Sequence, residues 1–280
     1  MQHRQLLVAM AFSTRCSAKH ANGTNDANQA RCGTRPKNST MKNSTMRYDD
    51  AANGIAGNED TAPPSRRSKA QIRESNEAQL LACAEEVFAE KGLEGASTAM
   101  IAERAGLPKA NLHYYFPTKL ALYRRVLEDL FEDWHRAADT FECSDDPVEA
   151  IGGYVRAKMD LSRRRPLGSK VWASEIIHGA HHMQDILNER VKPWLDTRVI
   201  VIESWIARGL LAPVEPDTFM FMIWAITQHY ADFDAQIRAL KGKRALTRKA
   251  FDEQTEEVVR LVIRACGAVS PRMEEKDDAQ

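Results

Sequence analysis

The 280-residue chain has no surplus charge of either sign, with 39 lysines and arginines against 39 aspartates and glutamates. No global basic field draws it to nucleic acid, so any such affinity has to come from a local basic face. Cysteine is scarce and scattered: Cys16, Cys32, Cys83, Cys143 and Cys266 form no C-x-x-C pair. That set fits neither a disulfide framework nor a zinc site, and it suits a reducing cytoplasm. Strict apolar–polar alternation is missing throughout, which excludes a strand-based architecture and leaves an all-α fold. No G-x-S-x-G, phosphate loop or dinucleotide fingerprint occurs, so the motifs that mark the common enzyme classes are absent. Long hydrophobic runs are missing too, and no membrane partner is expected. The apolar stretch Leu6–Phe12 is short for a signal peptide, and Arg15 follows it before any small-x-small cleavage site.

Residues 1–70 are rich in Asn, Ser, Thr, Gly and Ala, with few aromatics and no sustained period. Such a segment cannot bury enough apolar surface to offset its ordering entropy, so it reads as a disordered extension. Its end is basic: Arg66, Arg67 and Lys69 immediately precede the first periodic helix. In that position they suit an arm that reaches phosphates or a minor groove. Residues 269–280 read as a disordered tail.

The most informative stretch runs from Ser97 to Lys119, within an expected domain at 71–120. Leu80, Leu81, Ala84, Val87 and Phe88 first give a helix with one apolar face, closed by Gly92. Ser97 then offers a side-chain oxygen as an N-cap, and Met100, Ile101 and Ala105 recur at helical spacing. Gly106 stops this second helix by taking a left-handed backbone. Pro108 suits the first turn of a third helix, whose inward face is Leu112, Tyr115 and Phe116. Pro117 ends it, because the residue before a proline is pushed out of the helical region. Two short helices joined by a glycine turn make a helix-turn-helix unit. Its third helix opens with Lys109, Ala110, Asn111 and His113, small or hydrogen-bonding residues that allow close approach to base edges. Asn111 can pair bidentately with adenine, and Lys109 can meet guanine or a phosphate. Tyr114 and Lys119 suit phosphate oxygens, as do Ser97 and Thr98 at a helix start.

The motifs A-x-x-V-F-A-E-K-G, M-I-A-E-R-A-G-L-P-K-A-N-L and H-Y-Y-F-P-T-K-x-A-L-Y, taken together, resemble the N-terminal domain of the TetR family of bacterial transcriptional regulators. The resemblance covers residues 75–123 with these motifs and extends in alignable length to Cys266. It implies a three-helix DNA-binding domain followed by a helical ligand-binding and dimerisation domain. It also implies a homodimer on a palindromic double-stranded operator, usually a repressor released by a small effector, with no cofactor and no enzymatic activity.

The second domain, at 121–268, reads as a series of helices. One runs from Lys119 to about Asp139, and Pro147 opens the next, carrying Ile151, Tyr154, Val155 and Met159. Pro166 breaks the chain, and Pro193 should kink or divide a long segment from Met183 to Arg208. Pro216 to Ala239 is the most apolar stretch and should be buried on more than one side. Within it, Trp224 and Gln228 are four apart and share a helix face, with Thr227 on the neighbouring flank. An indole can stack on a flat heterocycle while a glutamine amide offers both a donor and an acceptor. Trp172 and Tyr154 are candidate pocket walls, and Tyr230 lies well round the helix. The F-M-I-W-A-I-T-Q-H-Y-A-D-F run resembles that of pyrimidine-sensing members of the family, which implies a uracil- or thymine-like effector. Another small aromatic compound would also suit such a pocket. Glu175, His178, His181 and His182 form one cluster that suggests metal. The corresponding alternative is a metal-dependent enzyme carrying a helix-turn-helix, against which Gly179 argues by breaking the ligand face.

Overall fold

A computed structural model describes residues 68–138, 140–242 and 245–270. Residues 1–67 and 271–280, including the expected arm residues Arg66 and Arg67, lie outside the described residues. Those described are helical, with no strand among them.

Helix α1 (Lys69–Gly95) begins at a capping box in which Ser68 and Gln71 satisfy each other's backbone N–H groups. Gly92, at φ 67°, interrupts it where the sequence places the stop. Helices α2 (Thr98–Ala105) and α3 (Lys109–Tyr115) follow, with the Ser97 hydroxyl accepting from Met100 N at 3.2 Å. Gly106 takes the left-handed conformation between them, at φ 64°. Pro108 precedes α3 as its N-cap rather than lying in its first turn. Leu80, Ile101, Leu112 and Leu122 are wholly buried, so α1, α2, α3 and the next helix close on one core. Each such leucine or isoleucine contributes about 1.5–3 kcal/mol by burial.

Helix α4 (Lys119–Ala137) is shared between the two halves. Its Leu122, Tyr123, Val126, Leu127 and Leu130 join the first core, which continues into Val171, Trp172, Met183 and Ile186. The packing therefore runs on past the boundary expected at residue 120, because a helix with apolar residues along its whole length serves both neighbours. A short turn, α5 (Thr140–Cys143), leads to α6 (Pro147–Arg164), capped by Asp146, and to α7 (Pro166–Ile177). Gly168 lets α7 lie close to the first half. A Cβ there would sit 2.4 Å from Leu130 Cδ2 and 2.9 Å from Glu85 Oε1. Arg165, beside it, bridges Glu85 on α1 and Asp133 on α4.

After α8 (Gln184–Ile186), residues Leu187–Val191 form a π-helical turn that runs directly into α9 (Lys192–Ala207). Pro193 accounts for the change. It has no N–H to donate to the preceding turn, so the ladder shifts register there without breaking. Helix α10 (Pro216–Asp232) stops at Phe233, and a separate α11 (Asp234–Leu240) follows, so the single helix expected to Ala239 is two. Helix α12 (Arg248–Cys266) closes the fold, capped by Thr247 and ended by Gly267 at φ 57°. A second core gathers Ile151, Tyr154, Met159, Ile202, Trp205, Met220, Ile223, Val258 and Val262 from α6, α9, α10 and α12. In the single chain α10 is buried along Phe219, Met220, Ile223, Thr227 and Ala231, while Phe221 on another face is 51 % exposed. Leu261 on α12 is 48 % exposed.

Candidate DNA interface and ligand cavity

Helix α3 is held by its one inward face. Leu112 is fully buried, whereas Lys109, Ala110, His113 and Tyr114 are exposed and Asn111 is half-buried. Tyr114 stands 69 % exposed, with the Arg73 guanidinium 5.6 Å from its ring centre. The turn is fixed from outside: Gln79 Nε2 donates to Ala105 O at 2.7 Å, and Arg104 pairs with Glu90. Ser97 caps α2 and Thr98 is its first residue. Lys119 has a different place from the one the sequence suggests. Its ammonium donates to Leu93 O at 2.6 Å, Ala96 O at 3.1 Å and Glu94 O at 3.4 Å. An ammonium has three donors, and here all of them go to the carbonyls at the end of α1, which leaves none for a phosphate.

In the second half, four of the five expected pocket residues converge. Trp224, Gln228, Trp172 and Tyr154 line one cavity of about 330 Å³. The indole N–H of Trp224 donates to the Tyr154 hydroxyl at 2.8 Å, which orients both rings. Complete burial raises the Tyr154 pKa, so the phenol stays protonated. Thr227 does not belong to the wall. It is fully buried, and its hydroxyl donates to Ile223 O at 2.7 Å, back along its own helix. One residue of helix rotation turns it from the cavity into the α6 contact, where its carbonyl accepts from Ser162 Oγ. Tyr230 packs against Phe251, as its position round the helix requires.

The sequence reading missed the two charged groups of this cavity, Lys158 and Asp232. Each extends a stripe already in view: Lys158 lies four residues after Tyr154, and Asp232 four after Gln228, so each pair shares a helix face. Lys158 is only 3 % exposed, and its ammonium lies 4.3 Å from the ring centre of Trp134. Burial pulls its pKa down to about 7, and the charge of Asp232 pushes it up only in part. Burial also raises the Asp232 carboxyl, against a hydrogen bond from Ser169 Oγ at 2.5 Å. Trp134 and Trp194 complete a wall of four indoles, with Trp134 and Trp172 edge to face at 4.6 Å. The Trp194 N–H is buried without a hydrogen-bond partner.

The histidine cluster does not form a ligand set. Glu175 is buried and accepts from the Tyr123 hydroxyl at 2.9 Å and from the His182 backbone N–H at 2.7 Å. Burial works against its charge, but the His182 N–H, the Tyr123 hydroxyl and the His182 ring together hold the carboxyl below its usual pKa. His178 bonds to Ser174 O, and His181 is exposed. Among the described residues no group of three His, Cys, Asp or Glu side chains is placed to hold a metal ion. Glu175 instead ties α7, which carries Trp172, to α4.

A surface helix-turn-helix joined through a shared helix to an all-helical domain with an aromatic-lined cavity defines a ligand-responsive type of DNA-binding regulator. Residues 80–126 match the family described as bacterial regulatory proteins, tetR family, and residues 127–269 match the YcdC-like protein C-terminal region. The chain belongs to the TetR family of transcriptional regulators; it is not an enzyme. It is 38 % identical over 184 residues to the HTH-type transcriptional regulator RutR of Escherichia coli strain K12, covering 66 % of this chain and 87 % of that protein. Similar folds include the putative transcriptional regulator SCO4942 of Streptomyces coelicolor, at TM-score 0.55 and 21 % identity, over 69 % of this chain and 99 % of that one. The ketosteroid transcriptional regulator KstR2 of Mycobacterium tuberculosis gives TM-score 0.53 at 19 % identity, over 68 % and 94 %. Among the described residues no helix is long and apolar enough to cross a membrane.

Proposed function

We propose that this regulator is a homodimeric repressor of pyrimidine or related nitrogen catabolism, released from a palindromic operator by a uracil- or thymine-like effector. The observation that carries this reading is the convergence of Trp224 and Gln228 on one cavity wall, a stacking surface beside a paired donor and acceptor. The similarity to RutR and the resemblance of the α10 sequence to pyrimidine-sensing family members supply the effector class. The exposed faces of α10 and α12, with Phe221 and Leu261, supply a surface for a second copy.

On DNA, Asn111, Lys109, Ala110 and His113 read base edges, and Tyr114, Ser97 and Thr98 hold phosphates. Two recognition helices in successive major grooves lie about 34–36 Å apart. Effector binding changes operator affinity only to the extent that it favours the dimer with the wrong spacing.

The test is fluorescence anisotropy on an operator selected from random DNA with the purified protein. Uracil is expected to release wild-type protein from the operator, and Trp224→Ala is expected to bind DNA normally and ignore uracil. Release of both proteins alike, or of neither, removes the pyrimidine reading. Asn111→Ala in the same assay should relax preference at one base pair, a discrimination of about 1–3 kcal/mol.

A further inference from the structure

The cavity wall holds a buried cation and a carboxylate that do not pair with each other. Lys158 and Asp232 both line the space, yet no ion pair joins them, and the Lys158 ammonium has no hydrogen bond among the described residues. Beside them the Trp194 N–H is buried without a hydrogen-bond partner. A buried donor left unsatisfied is costly, and an acceptor on a bound ligand relieves that cost. Asp232 uses Oδ1 for Ser169, and its second oxygen remains available to accept a hydrogen bond.

We propose that Lys158 and Asp232 read a cyclic amide edge of the effector, Lys158 Nζ donating to the ring carbonyl and Asp232 accepting the adjacent ring N–H. The inference rests on the reading of this cavity as the effector site. Three physical arguments select that group. The two side chains carry opposite charge, so a ligand anion is opposed by Asp232 and a ligand cation by Lys158, which favours a neutral molecule. Four indoles leave room for a flat ring. Finally, an open-chain secondary amide is trans and points its N–H and C=O in opposite directions. A five- or six-membered ring forces the amide cis, and both groups then face one edge, where one donor and one acceptor can meet them. Gln228, on the same stripe as Asp232, is left for a second carbonyl or N–H. The class is therefore lactams, cyclic ureas and cyclic imides, of which uracil is one.

The experiment is calorimetric titration of the full chain with four probes: uracil, 2-pyridone, 1,3-dimethyluracil and benzoate. Uracil and 2-pyridone should bind. The dimethylated ring, which lacks an N–H, and the benzoate anion should bind at least about 10-fold more weakly, the loss of one charge-assisted hydrogen bond. Lys158→Met and Asp232→Leu should each weaken cyclic amide binding about 10- to 100-fold, with melting curves confirming that the variants fold. Binding of 2-pyridone without uracil supports the edge recognition and removes the pyrimidine reading. Uracil binding that survives dimethylation, or that is unchanged in both variants, overturns the edge recognition and leaves the pyrimidine reading in place. Absence of binding by every cyclic amide overturns both. Should a variant not fold, the comparison of uracil with its dimethyl derivative on wild-type protein decides alone.

Discussion

Helix α3 and the cavity between α6 and α10 place their polar residues in opposite solvents. In α3, Lys109, His113 and Tyr114 stand in water, and one buried residue, Leu112, holds the helix in place. In the cavity, Lys158, Gln228 and Asp232 are set among four indoles contributed by α4, α7, α9 and α10. A water-facing polar group costs nothing to keep unpaired, so α3 can wait for DNA with its side chains ready. A buried one lowers stability until a ligand partners it, so the cavity lowers the stability of the protein without its effector. The first arrangement spends stability on positioning alone; the second stores an imbalance that a ligand relieves.

Four substitutions bear on this contrast. The largest effect is expected from Leu112→Ala, which empties the one fully buried position of α3 and should lower stability by about 2–5 kcal/mol in thermal or denaturant unfolding. A loss below 1 kcal/mol would mean that α3 is held by something other than its buried face.

Lys158→Met should go the other way. In the folded protein the Lys158 pKa lies near 7, against 10.5 for the ordinary side chain. Between those values the unfolded chain binds the extra proton and the folded chain does not, so stability rises with pH across that window. The cost is full below pH 7 and is gone above the unfolded value. Replacing the ammonium by a thioether of similar size should stabilise the ligand-free protein by about 4 kcal/mol at pH 7. Urea unfolding at pH 7 and pH 10 checks this, since the gain should shrink at the higher pH; a gain that is constant with pH would place the burden elsewhere.

The smallest effect comes from paired changes in the DNA-binding half. Lys119→Met removes the clamp on the end of α1 and should cost about 1–3 kcal/mol of stability. Asn111→Ala should stay within about 0.5 kcal/mol of wild type in the same unfolding measurement, since its side chain lies outside the core that holds α3. If the two changes had equal effects on stability, the division between a structural Lys119 and a DNA-facing Asn111 would fail.

The helix-turn-helix was legible because each of its signals is local. Ser97, Gly106 and Pro117 act on backbone within a turn or two, and Leu112 marks the inward face by spacing alone. Lys119 was misread for the same reason: a lysine after the recognition helix looks like a phosphate contact until the carbonyls of Leu93, Glu94 and Ala96 are brought against it. Likewise Trp224 and Gln228 were visible as one helix stripe, whereas Thr227 needed the position of α6 to show that it points away.

The sequence by itself determined the helical architecture, the turn that presents α3, and the pairing of an indole with an amide four residues on, since all follow from periodicity, capping and backbone preference. The tertiary structure decided that Tyr154 bonds to Trp224, that Glu175 serves Tyr123 and His182 in place of a metal, and that Lys158 and Asp232 share a cavity. These groups lie tens of residues apart in the chain. Their chemistry depends on distance and burial, which arise only once the helices have packed.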